Sequence, residues 1–243
     1  MKLVQLNIWG GRLERQVEGF FAAEQADIIC LQEAISFESE DSGFFATVEN
    51  IQRTTKLTNS CVAPVFTFDY QNHDARFGNC ILSRYPIKKS EIIFTNLEHK
   101  EKFQFGRDST NVRNFIHVVI EKDGEEFNVL THHGFHVPDH KNGTPETLRQ
   151  MQQLADYITG LSGPVILTGD FNLAPQSESL ELLNHQLRNL STEHRLKTTR
   201  NSLTHKTEVC DYIFVNDAVK VVNFSASEAV ISDHKALLLD FSV

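Results

Sequence analysis

Short apolar runs of strand length, each opening or closing on a polar residue, recur over the whole of this 243-residue chain. "KLVQLNIW", "DIICLQE", "SCVAPVFTF", "GNCILSRYPI", "SEIIFTNL", "VILTGDFN", "DYIFVN", "VKVVNFSAS" and "KALLLDFSV" all read as strands separated by turn residues. "VRNFIHVVIEKDGEEFNVLTHH" reads as two strands joined at Asp123-Gly124, a dipeptide that favours a tight hairpin. Hairpins make neighbouring strands antiparallel, so a purely parallel sheet is excluded.

Helical spacing is confined to a few segments. Leu13, Val17, Phe20 and Phe21 predict a helix over 12–25. Thr144 precedes Pro145 and is placed to cap a second helix, with Leu148, Met151, Leu154, Ala155 and Ile158 on one face. Gly163-Pro164 ends it, and a short helix follows over about 176–184. Many strands, few helices and several hairpins predict a mixed α/β protein with two sheets face to face and helices outside. No repeat, low-complexity tract or linker divides the chain, so one domain over 1–243 is expected.

Composition narrows the function classes. A net charge of −9 is the wrong sign for a protein that lives on non-specific DNA binding, although a local basic patch is compatible with it. Cys30, Cys61, Cys80 and Cys210 form no C-x-x-C pair, and Cys30 and Cys80 sit in apolar runs, which predicts buried free thiols. No apolar stretch approaches the roughly 20 residues that span a bilayer. With no cleavage signal before the first strand pattern, a cytoplasmic protein is expected.

The strand-end polar residues carry the functional signal. Asn7 closes the first run, Glu33 the second, and His132 and His133 the run "FNVLTHH". Asp170 and Asn172 follow "VILTG", Asp211 opens "DYIFV", and Asp233 and His234 precede the last strand. Each alone has an ordinary explanation: Asn7 capping a turn, Asp170 and Asn172 shaping an Asx-turn, Asp233 and His234 on a loop. Their repetition at equivalent positions points to a site built on a rigid sheet.

In order and separation, "QLNIW", "LQE", "GDFN", "CDYIF" and "SDH" resemble the motifs of the endonuclease/exonuclease/phosphatase superfamily. The resemblance runs from Asn7 to His234 and implies a deoxyribonuclease I-like four-layer α/β/β/α sandwich, two packed mixed sheets flanked by helices. It implies a divalent-metal-dependent phosphoesterase, most of all a phosphodiesterase using direct attack by water. A phosphomonoesterase, a nuclease or a non-catalytic binding module on the same scaffold are the alternatives. Glu33 would be the principal metal ligand, with Asn7 beside it and Asp233 completing the metal environment. Asp170 would orient or deprotonate the water, Asn172 would donate to phosphate oxygens, and Asp211 would hold the ring of His234. Either Asp170 or His234 would be the base. The family histidine of this strand end aligns with His133, which would act in protonated form; His132 is the other choice. Gly134 stands where the family has leucine.

Oxygen-rich ligands without cysteine favour Mg2+, or Mn2+, over zinc. The substrate is a phosphate ester: nucleic acid, a nucleotide adduct, a lipid head group or a soluble ester. Arg76 in 69–78 and Lys141 in 135–143 are placed to contact phosphate or to be solvated surface. Phe135 and His136 are candidates for stacking on a ring, and Arg113 for pointing into a cleft.

Overall fold

The computed structural model describes residues 1–37 and 45–243. Along the chain run β1 (Lys2–Asn7), α1 (Glu14–Glu24), β2 (Ile28–Phe37), α2 (Val48–Thr55), β3 (Asn59–Tyr70), β4 (His73–Ser83) and β5 (Ile87–Asn96). Then come β6 (Arg113–Lys122), β7 (Glu125–His133), α3 (Pro145–Thr159), β8 (Val165–Asp170), α4 (Glu178–Asn184), β9 (Arg188–Asn189) and α5 (Leu190–Glu193). The last strands are β10 (Asp211–Val215), β11 (Lys220–Ala226) and β12 (Leu237–Ser242).

The strands form two six-stranded sheets, ordered β11-β12-β1-β2-β4-β3 and β5-β6-β7-β8-β10-β9. Among the described residues only the strands β1–β2 and β7–β8 pair in parallel, and a helix supplies the crossover each time: α1 in the first sheet, α3 in the second. All the other strand pairs are antiparallel. Asp123 and Gly124, both at positive φ, turn the β6–β7 hairpin as their sequence predicts.

Period-2 alternation assembles the layers. Leu3, Ile28 and Cys30 point to the centre, where they meet Ile116, Val129, Ile166 and Ile213 of the other sheet. Their neighbours Val4, Ile29 and Leu31 point outward onto Val17 and Phe21 of α1 and Ile51 of α2. On the other side, Leu130, Leu167 and Phe214 pack beneath Met151, Leu154 and Ile158 of α3 and Leu180 of α4. The result is the four-layer α/β/β/α sandwich. Because these strands are covered on both faces, their sequences read as continuous apolar runs. All four cysteines are buried and free. Among the described residues no helix is long and apolar enough to cross a membrane.

Three local expectations change. β2 does not end at Glu33 but continues to Phe37 after a bulge: Leu31 faces Cys80 and Ala34 faces Gly78, one residue more on β2 than on β4. Leu148 is exposed, because Thr147 and Gln150 take the inward positions of the first turn of α3 through bonds to Ser179, Thr95 and Phe135. The helix expected over about 176–184, α4, starts at Glu178. The cap of α3 is as expected, with Thr144 and Thr147 exchanging side-chain to backbone bonds.

Candidate active site

Strand register brings the polar strand ends together. In the second sheet His133 is opposite Asp170 and Asp170 opposite Asp211, so three adjacent strands deliver three functional groups in one row. In the first sheet Asn7 pairs with Gln32, one residue before the bulge. Glu33 occupies that bulge at φ 55°, a left-handed conformation that re-aims its side chain towards the other sheet. Asn172 at φ 55° turns the chain back just after Asp170.

Two glycines permit the close approach. A Cβ on Gly169 would stand 2.0 Å from the His132 carbonyl oxygen, and φ there is 151°. A Cβ on Gly134 would stand 2.1 Å from the Phe171 carbonyl oxygen, which is why no leucine fits at this position.

Asn7 joins the sheets. Its Nδ2 donates to Glu33 Oε1 and to Asp170 Oδ2, both at 3.1 Å, while its Oδ1 accepts from Trp9 N. Two carboxylates therefore face one amide. Burial chiefly, with the facing Asp170, raises the Glu33 pKa against the lowering effects of Asn7 and His234. Burial works the same way on Asp170, but His234, Arg200 and His133 outweigh it and hold that carboxyl well below the usual range.

Asp211 is fully buried and saturated. It accepts from His234 Nδ1 at 2.9 and 3.0 Å, from Thr199 Oγ1 at 2.6 Å and from Gln5 Nε2 at 3.3 Å. A carboxylate only accepts, so Nδ1 carries the proton and Nε2 is turned to the other side. There Nε2 lies 3.6 Å from Asp170 Oδ2 and meets an Nη1–H of Arg200. Burial lowers the His234 pKa, but Asp211 and Asp170 raise it further, so the net shift is upward. The Arg200 contact demands a free lone pair on Nε2, so carboxylates and guanidinium compete at this one atom.

Asp170, Asp211 and His234 place ligand atoms within 4.8 Å of one another. That triple is an unsuitable cation cage, since Asp211 has no acceptor capacity left over after its four contacts. Glu33 and Asp170 fit a hard cation better. Both are oxygen donors, both turn to Asn7, and Glu33 keeps 27 % of its side chain open. Asp233 is on the same rim, with Oδ2 3.6 Å from Arg200 Nη1.

These groups meet at a cavity of about 200 Å³ that Trp9, Arg113, His136 and Lys206 also line. Of the strand-end polar residues singled out from the sequence, all but three lie at it. Asn7 and Asp211 stand behind the lining as supports, and His132 is buried against Phe171. His133 is the one that faces the site, 3.9 Å from Glu33 and 4.0 Å from Asp170. Burial first, and then Arg113, push its pKa well below the ordinary value, which works against the protonated form expected.

Lys141 is not solvated surface: it is buried outside the cavity lining and donates to Val137 O and Asn172 Oδ1. Asn172 in turn donates through Nδ2 to Gly134 O and through its backbone N to Asp170 Oδ1. Arg113 does reach the cavity, anchored on the carbonyls of Gly134, Thr110 and Val112. Arg76 sits on β4 opposite Thr67 and Ser36, away from the cavity lining.

Sequence reasoning missed Arg200. It sits 4 % exposed in a polar stretch without strand periodicity, held by a bridge to His234 and by Asn201, whose Nδ2 donates to the carbonyls of Ser232 and His234. Its Nε has no hydrogen-bond partner among the described residues. Also missed was a buried chain between the sheets, Gln5 to Gln32 to Thr131 at 2.8 Å each. Glutamines inside the apolar runs "VQLN" and "CLQE" were the available signal.

Comparison with known proteins agrees with this geometry. The Endonuclease/Exonuclease/phosphatase family matches residues 4–234. No curated protein matches. Among solved structures, an endonuclease/exonuclease/phosphatase family protein from Leptotrichia buccalis C-1013-b is 17 % identical with both chains fully covered and a TM-score of 0.72. D. rerio TDP2 complexed with single-strand DNA product is 16 % identical over 100 % of this chain and 99 % of its own, TM-score 0.72. The Bacteroides thetaiotaomicron VPI-5482 mannosyl-6-phosphatase Bt3783 is 16 % identical with both chains fully covered, TM-score 0.68. At these identities the structures share the fold, while the family match rests on the sequence itself. The chain belongs to the endonuclease/exonuclease/phosphatase family, whose members hydrolyse phosphoester bonds.

Proposed function

We propose that this protein is a divalent-metal-dependent phosphodiesterase in which water attacks phosphorus directly. The observation that carries the reading is the convergence of Glu33 and Asp170 on Asn7 beside the Asp211–His234–Arg200 file. Glu33, with Asn7 beside it and Asp233 on the rim, would hold Mg2+ or Mn2+. Such an ion, when bound, neutralises charge on the phosphate oxygens.

The chain's own groups divide the remaining work. Asp170, kept ionised by its cationic neighbours, orients the attacking water. Arg200 donates to the substrate's phosphate oxygens, a role suited to its buried, incompletely bonded guanidinium. That shift frees His234 Nε2, which takes the proton from the water while Asp211 fixes the ring. His133 and the second Nδ2 hydrogen of Asn172 donate to the developing charge. A diester is favoured over a monoester because a second pocket adjoins the cavity, sharing Glu33, Arg113, His133 and His136, and gives room for a further esterified group.

Hydrolysis of bis(p-nitrophenyl) phosphate and p-nitrophenyl phosphate, with and without Mg2+ or Mn2+, tests this. Metal-dependent turnover with the diester preferred is expected. Preference for the monoester would replace the reading with a phosphatase, and metal-independent turnover would contradict it.

A further inference from the structure

Beside the catalytic cavity lies a second pocket of about 270 Å³ whose far wall is Phe66, Phe77 and Phe105. Phe77, Phe66 and Phe103 form a stack, with centroids 4.8 and 4.0 Å apart and planes within 7° and 16° of parallel. Phe105 stands across it, edge-on to Phe66, Phe68 and Phe103 at 5.1–6.1 Å. Three rings fix its orientation, yet it is 65 % exposed, an unusual state for a phenylalanine that could be packed away.

The segment carrying Phe103 and Phe105 is pinned at both ends. Lys100 N and O bond the backbone of Val65 and Thr67, and Phe103 N donates to Thr67 O. At the far end Asn111 exchanges two bonds with the backbone of His136, and Arg113 Nη1 donates to Thr110 O. The exposed ring is therefore held in place rather than left on a loose loop.

We infer that Phe77 and Phe105, backed by the buried Phe66, form a subsite for a planar aromatic ring carried by the substrate's phosphate. The inference rests on the phosphoester reading of the adjoining cavity. Two aromatic walls at right angles suit a flat ring, which stacks on one and meets the other edge-on. The pocket is smaller than those that hold drug-sized ligands, which matches one ring system. His136 at the junction is pushed down to about 4 by burial and Lys141, so its ring adds an uncharged wall. A nucleobase and a phenolic ester share the required chemistry.

Calorimetric binding in Mg2+ buffer separates the sources without needing turnover. Thymidine 5′-monophosphate is compared with 2-deoxyribose 5-phosphate, and phenyl phosphate with methyl phosphate, each pair differing by a ring. In at least one pair the ring tightens binding about tenfold, as base stacking on an aromatic side chain does. A gain in the first pair alone assigns a nucleobase, and in the second alone a phenolic ring. Phe105→Ala removes the gain and leaves methyl phosphate binding unchanged, whereas Phe105→Tyr keeps it. Equal binding within both pairs, or a gain that survives Phe105→Ala, overturns the subsite while the phosphate reading stands. Failure of all four ligands to bind overturns both.

Discussion

Asp211 shows how much of this site is devoted to one imidazole. Three side chains donate to its two oxygens, leaving it only the task of holding His234 in one tautomer. Asp211→Asn presents an amide where an acceptor is required, so His234 loses its orientation. A fall in kcat of about 10²–10⁴ is expected, with KM nearly unchanged; a loss confined to KM would contradict this. His132 makes a different point. Burial and then Arg113 push its pKa down to about 3. The folded protein therefore binds that proton less readily than the unfolded chain. The stability tied to neutral His132 is complete above the ordinary histidine pKa of about 6.5 and is lost as pH falls towards 3. Within that window the slope is about 1.4 kcal/mol per pH unit. Urea titrations of wild type and His132→Leu at several pH values should show the variant less steep; parallel curves would contradict the assignment. The two adjacent histidines look alike in sequence, and strand alternation separates them, His133 to the cavity and His132 to the packing against Phe171.

At the level of elements, period and turn chemistry were legible. The Asp123-Gly124 hairpin, the Thr144 cap and the apolar runs behind β1, β7, β8 and β10 all follow from local residue types. The bulge in β2 did not, because "AISF" after Glu33 is as apolar as "IICL" before it, and no glycine or proline marks the extra residue. Leu148 misled for a related reason: helical spacing allows two faces, and polar contacts of Thr147 and Gln150 chose between them. Gly134 read only as a departure from the family pattern, and the Phe171 backbone behind it supplies the reason. Gly134→Ala should cost about 3 kcal/mol or more in a urea titration, since backbone rather than a flexible side chain blocks the methyl group. A cost under 1 kcal/mol would show that the β7 and β8 ends are looser than described.

The whole molecule is two similar half-sandwiches whose parallel strand pairs, β1–β2 and β7–β8, point their ends at one another. Local sequence predicts strands but not partners, so it could not foresee that Asn7 would bridge a residue 163 positions away. Order of motifs, through family resemblance, carried that information instead. It carried none about Arg200, whose placement comes from the packing of 198–201 against 232–235. Under the proposed function, this meeting of sheets makes Glu33 and Asp170 a phosphodiester-hydrolysing centre. Steady-state hydrolysis of bis(p-nitrophenyl) phosphate in Mg2+ by wild type, Glu33→Gln and Asp170→Asn tests it most directly. Wild type should turn over and each variant should lose at least about 10² in rate, with melting curves showing both folded. Undiminished turnover in both variants, or none in the folded wild type with any divalent ion, would contradict it.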